Sequence, residues 1–161
     1  MGKIEFESVK RYLVKNKGES ESESTVDDEE LPRGFLDHLI LRGLCLHLIE
    51  PGRVLFSMNI PPRLLNSGNY LHGGVITTLV NVVGAAAIPA AGFPWETGVS
   101  LEINVSCLDA TYAHEEIEID ARVLRVGKTI AAVSVEFRKK KTGQIIAQGR
   151  HTKYLPRTSK L

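Results

Sequence analysis

The sequence predicts an α+β domain in which an antiparallel sheet wraps around one central helix. Three observations carry that expectation. Val75, Leu79, Val82, Val83 and Ala86 recur at helical spacing, which gives one long helix in the middle of the chain. Segments with strand character flank it, two before and four after. The four that follow are joined by turn-sized connections. Parallel crossovers would need a further helix between strands, so these segments pair antiparallel.

In chain order, Ile4 to Lys15 reads as a short helix with Val9, Tyr12 and Leu13 on its apolar face. Residues 16–30 read as a flexible acidic linker, because Glu19, Glu21, Glu23, Asp27, Asp28, Glu29 and Glu30 crowd a stretch with almost no apolar content. The expected organisation is therefore an N-terminal segment 1–30, a folded domain 31–155 and a tail 156–161. Phe35 to Leu41 is a short helix or turn. Leu44 to Ile49 and Val54 to Ile60 are strands joined tightly through Glu50-Pro51-Gly52-Arg53. The central helix opens after Leu71-His72-Gly73-Gly74 and is expected to stop near Ile88, since Pro89 cannot donate the next backbone hydrogen bond and Gly92 and Pro94 follow. Gly84 to Ala87 give it a low profile suited to lying close on a sheet. In Val99 to Val105, strict alternation places Val99, Leu101, Ile103 and Val105 on one face and Ser100, Glu102, Asn104 and Ser106 on the other. Ile117 to Val126 and Thr129 to Arg138 flank the hairpin signal Gly127-Lys128, and Ile145 to Tyr154 completes the sheet. The basic run Arg138-Lys139-Lys140-Lys141 reads as a solvated turn.

A chain of 161 residues, 43% of them hydrophobic, supports one packed core. The net charge of +1 gives no case for nucleic acid. No apolar run reads as long and uninterrupted enough to span a bilayer, and the N-terminus lacks a secretory pattern, so a soluble intracellular protein without a membrane partner is expected. Cys45 and Cys107 form no C-x-x-C pair and are expected as reduced, buried thiols. His38, His47, His114 and His151 show no metal-ligand spacing, so no metal site is read, and no G-x-S-x-G elbow occurs. Met1-Gly2 does not continue as a myristoylation motif, because Phe6 stands where Ser or Thr is needed. Ser159-Lys160-Leu161 is the C-terminal tripeptide read by the peroxisomal import receptor, which makes that receptor an expected partner and the peroxisome the expected location.

The start of the central helix is the expected seat of chemistry. Gly73 and Gly74 leave its first N–H groups open, with the positive end of the helix dipole pointing at whatever oxygen arrives. Asn66, Leu71-His72-Gly73-Gly74, Gly98-Val99-Ser100, Val126-Gly127-Lys128-Thr129 and Ala147-Gln148-Gly149-Arg150-His151-Thr152-Lys153, in that order and spacing, resemble the hotdog-fold acyl-CoA thioesterases. The resemblance covers about Leu31 to Leu155. It is nearest to the thioesterase superfamily member 2 branch, also called acyl-CoA thioesterase 13, which is related to the phenylacetic-acid-pathway thioesterases.

That resemblance implies hydrolysis of a fatty or aromatic acyl-CoA. CoA enters as part of the substrate and no separate cofactor is needed. It implies a homodimer joined sheet edge to sheet edge, usually paired again into a homotetramer. It also implies that the Gly73 N–H polarises the thioester carbonyl, that Asn66 places water or substrate, and that Ser100 assists the water from the facing subunit. The family's remaining participant is an acidic residue two turns along the helix, and this chain has Asn81 there. A carboxamide is essentially non-basic and only orients water. Glu102, expected on the strand face of Ser100, is the nearest carboxylate in sequence, with a solvated or cofactor-contacting role as the alternative. His72 is read as a thioester or CoA contact or as a partner for loop carbonyls. Arg125, Lys128 and Tyr154 match positions that the related enzymes place by the cofactor, where Arg and Lys would pair with the phosphates and Tyr would stack or hydrogen-bond. Two functions follow, a thioesterase and a non-catalytic acyl-CoA binder; a hydratase would need a paired acid and histidine in a different loop motif.

Overall fold

The computed structural model describes residues 34–93 and 98–155. The expected helix at 4–15, the acidic linker 16–30 and Ser159-Lys160-Leu161 lie outside the described residues. The short helix Phe35–Leu41 leads into strands β1 (Leu44–Glu50) and β2 (Arg53–Asn59) and a 3₁₀ turn at Pro62–Leu64. The central helix Gly73–Ala90 follows, and then β3 (Val99–Cys107), β4 (Glu116–Val126), β5 (Ile130–Lys139) and β6 (Ile145–Tyr154). The six strands form one sheet in the order β1-β2-β4-β5-β6-β3, every neighbouring pair antiparallel. Strands β2 to β6 all pack on the helix, the hotdog arrangement.

Alternation explains which face does so. Ile117, Ile119 and Ala121 of β4 and Ala131, Val133, Val135 and Phe137 of β5 are buried against the helix, which in turn buries Val75, Ile76, Leu79, Val80, Val83, Ala87 and Ile88. Burying each Leu, Ile or Val here contributes about 1.5–3 kcal/mol. The helix lies closest to β6. A Cβ on Gly149 would come within 2.5 Å of the Val80 side chain, and one on Gly84 within 3.3 Å of Val135 and 3.4 Å of the His151 ring.

Several expectations are corrected. The helix runs past Ile88 to Ala90 with Pro89 inside its final turn, which closes through Ala91 N–H to Ile88 O at 3.0 Å and Gly92 N–H to Pro89 O at 2.9 Å. By length and composition it is apolar enough to cross a bilayer, contrary to the sequence reading; here that apolar content packs on the sheet. Cys45 and Cys107 are free and exposed, because β1 and β3 are the two edges of the sheet. The basic run is anchored as well as solvated: Lys139 sits 3.4 Å from Asp109 and 3.5 Å from Glu115, and Lys140 2.7 Å from Glu116.

The correction that matters most for chemistry is in β3. A bulge at Leu101 sets Ser100 opposite Lys153 but Glu102 opposite Thr152. Directly opposed residues share a face and adjacent ones do not. Ser100 therefore faces the helix with Lys153, while Glu102 faces outward with Thr152. Strict alternation fails at that one extra residue.

Candidate active site

The chain places its polar residues in two groups. The first surrounds the N-terminus of the central helix. The loop before it winds around Asn66, whose Oδ1 accepts from Gly68 N–H at 2.9 Å and Tyr70 N–H at 3.3 Å. Asn69 adopts a left-handed φ of 62°, a conformation Asn tolerates better than most residues. With Oδ1 committed to the loop, the Asn66 Nδ2 is the end that remains to donate. His72 is the N-cap. Its Nδ1 accepts from Gly74 N–H at 2.8 Å, and its carbonyl accepts from Val75 N–H at 2.9 Å and Ile76 N–H at 3.2 Å. The capping nitrogen is therefore unprotonated, leaving Nε2–H as the only part of the ring free to touch a ligand. Gly73 N–H has no acceptor among the described residues. A Cβ at Gly73 would meet nothing within 4 Å, so this donor stands open to an incoming oxygen.

An apolar groove of about 320 Å³ begins beside it. Leu36, Leu39, Leu65, Val75 and Thr78 line its length and His72 and Gly74 its end. Arg63 braces one wall by donating to Leu39 O at 3.0 Å and Arg42 O at 2.6 Å, which satisfies the last carbonyls of the short helix. A larger groove of about 500 Å³ lies on the outer face of the sheet among Asp120, Arg122, Glu136 and Arg138. Four of its charges pair, Arg122 with Asp120 at 2.8 Å and Arg138 with Glu136, and its lining does not include the helix start.

The second group lies farther along the helix. Ser100 Oγ stands 3.4 Å from Asn81 Oδ1 and 2.8 Å from His151 Nε2, all within one chain. This corrects the expectation that Ser100 faces Asn81 from another subunit. His151 has no exposed surface, and its Nδ1 has no hydrogen-bond partner. Burial first, and the Lys153 charge second, push the imidazole down to about 4 against a small opposing pull from the Asn81 main chain. Lys153 is itself 6% exposed, and burial lowers its pKa.

Of the other expected site residues, Glu102, Arg125 and Tyr154 lie on the outer sheet face. In the pairing they belong to one side with Thr152 and Ala132, and all three are exposed. Lys128 sits in the exposed hairpin between β4 and β5. These four cluster at the end of the sheet near the helix C-terminus, where Ala91 Cβ lies 3.8 Å from the place a Cβ on Gly52 would take. They are far from Gly73. His151 and Lys153 were not expected at the site. Alternation along β6 from buried Ala147 through Gly149 was the available signal, because it puts both on the helix face. Among the described residues no cluster of His, Cys, Asp or Glu could hold a metal.

Residues 68–146 match the model of a family described as the thioesterase superfamily. Over 118 residues the chain is 38% identical to acyl-coenzyme A thioesterase 13 of Homo sapiens, spanning 72% of this chain and 82% of that protein. The crystal structure of thioesterase superfamily member 2 from Mus musculus superposes with a TM-score of 0.70 at 36% identity, over 76% of this chain and 88% of that one. The zebrafish thioesterase superfamily member 2 gives 0.69 at 37% identity, over 73% and 84%.

Proposed function

The chain belongs to the thioesterase superfamily, and from that premise we propose that it is an acyl-CoA thioesterase, releasing free acid and CoA at a site shared between two copies. The observation that carries the reading is the open Gly73 N–H at the helix start, beside an apolar groove. A thioester carbonyl directed at Gly73 N–H receives a donor already fixed in place, with Asn66 Nδ2 as a second, and its acyl chain continues along Leu65, Val75 and Thr78. As negative charge develops on that oxygen, both donors and the helix dipole strengthen their hold.

Water is held elsewhere. Asn81 and Ser100 form the only hydrogen-bonded pair of this kind along the helix among the described residues. Eight residues at about 1.5 Å rise put Asn81 about 12 Å beyond Gly73, too far for one copy both to polarise a thioester and to present its water. A partner copy closes the gap: Asn66 and Gly73 of one chain work with Asn81 and Ser100 of the other. The exposed edge strand β3, with Val99 at its start 62% exposed and Leu108 just past its end 59% exposed, supplies an apolar margin for that association. Arg125, Lys128 and Tyr154 then stand on the water-holding side, where cationic and aromatic groups suit the phosphates and adenine of CoA. Import into peroxisomes through Ser159-Lys160-Leu161 belongs to the same reading.

The test is steady-state release of free CoA from aromatic and C4 to C18 acyl-CoAs. Native turnover, with Asn66→Ala slower by about 10²- to 10³-fold, is the expected result. Tight binding without turnover, restored by Asn81→Asp, would instead make the chain an acyl-CoA binder. The shared site has its own readout. Asn66→Ala and Ser100→Ala copies, each inactive alone, regain about a quarter of native activity when refolded together, because half the dimers are mixed and each mixed dimer holds one intact site.

A further inference from the structure

The thioesterase reading leaves one step without an agent. Attack by water requires a proton acceptor, and Asn81 is not one. Hydrogen-bonded to Ser100 is the His151 imidazole, 2.8 Å away and fully buried. We infer that His151, acting through Ser100, accepts the proton of the attacking water in place of the carboxylate that Asn81 lacks. This inference rests on the thioesterase reading.

The hydrogen bonds around the ring set its polarity. Nδ1 is enclosed with no partner at bonding distance, and the Asn81 main chain is the one group acting on the ring that favours a bound proton. A hydrogen directed at that carbonyl is favoured over a lone pair directed at it, so Nδ1 carries the proton and Nε2 accepts. The Ser100 hydroxyl then donates to Nε2, and its oxygen is free to receive a proton from water. Donation to Nε2 requires the Asn81 amide, whose Oδ1 stands 3.4 Å from the hydroxyl in this structure, to present Nδ2–H there and turn its Oδ1 toward the water.

The step balances as follows. The water oxygen bonds to the carbonyl carbon while one water proton passes to Ser100 Oγ and the serine proton passes to Nε2. The carbonyl π pair moves onto the oxygen held by Gly73 N–H. Collapse re-forms the carbonyl and breaks the C–S bond, and the pair leaves on sulfur. The proton on His151 returns through Ser100 to the thiolate, giving acid and free CoA. Basicity is adequate: at about 4 the buried imidazole matches an ordinary aspartate. The groups facing it are Lys153 on its own strand, Ser100 and Ile103 on β3, Val133 on β5, and Asn81 and Gly84 on the helix. Lys153 is the one charge among them.

His151 touches no reacting atom, so its role is separated from simple packing by changing the background. His151→Gln is compared in the native chain and in Asn81→Asp, measuring kcat and KM for CoA release. The expected result is a loss of about 10²-fold in kcat with KM unchanged in the native chain, shrinking below about tenfold once a carboxylate stands at residue 81. Equal losses in both backgrounds, or none in the native chain, overturn the inference. Should His151→Gln fail to fold, His151→Asn, smaller at the same position, removes the same acceptor and gives the same comparison. Absence of turnover by the native chain on every substrate would defeat the thioesterase reading itself, a result distinct from turnover that ignores His151.

Discussion

At the scale of single residues, the uncommon feature is a histidine and a lysine buried on the inward face of β6, where alternation ordinarily places apolar side chains. His151 makes stability depend on pH in a direction that follows from its burial. The folded chain keeps the imidazole neutral down to about 4, whereas the unfolded chain takes up a proton near 6.5. Stability is therefore full above about pH 6.5 and falls as pH drops toward about 4, after which this contribution is flat. The difference corresponds to about 3 kcal/mol. Urea midpoints between pH 4 and 7.5 test it: the native chain should lose more across that range than His151→Gln does. Identical slopes would mean that His151 titrates normally in the fold. His72 carries a smaller local duty. His72→Ala removes the acceptor of Gly74 N–H and should cost about 1 kcal/mol of stability, whereas His72→Asn, a good N-cap, should recover most of it in the same measurement.

At the scale of elements, the helix and β6 meet through glycine. Gly149→Ala would force a methyl to within 2.5 Å of Val80, so a loss of about 1–3 kcal/mol is expected in chemical denaturation, largely relieved by adding Val80→Ala. The elements themselves were legible from periodicity, and the six strands, the long helix and the short one all lie where apolar spacing put them. The open helix start was legible as well, because Gly73 and Gly74 are a local signal, whereas Asn66, Asn81 and Ser100 are singled out only by the family resemblance. Ser100 was found, but its surroundings were not. Its facing direction depends on the Leu101 bulge, which arises from how β3 pairs with β6 and leaves no mark in the residues of β3 alone. His151 was hidden for a related reason. Alternation along β6 assigns it to the helix face, but a polar side chain does not announce its own burial, which comes from the helix packed above it. The exposed cysteines follow from strand order, which nothing local specifies.

At the scale of the whole molecule, the open Gly73 N–H stands at one end of the helix and the Asn81–Ser100 pair about 12 Å along it, so on the proposed mechanism activity requires two copies. Val99→Asp with Leu108→Asp places charge on the exposed apolar margin of β3 and should yield a monomer by light scattering that no longer releases CoA. A monomer with native activity would refute the shared site. The bulge adds a consequence about chain length. Ser100 and Glu102 already oppose adjacent residues of β6, so losing Leu101 altogether would leave the hydroxyl facing the helix. Straightening the strand at constant length, with Leu101 taking the place opposite Lys153, would turn it away. The Ser100 hydroxyl is thus held in phase by a surplus residue that the strand can discard but cannot absorb.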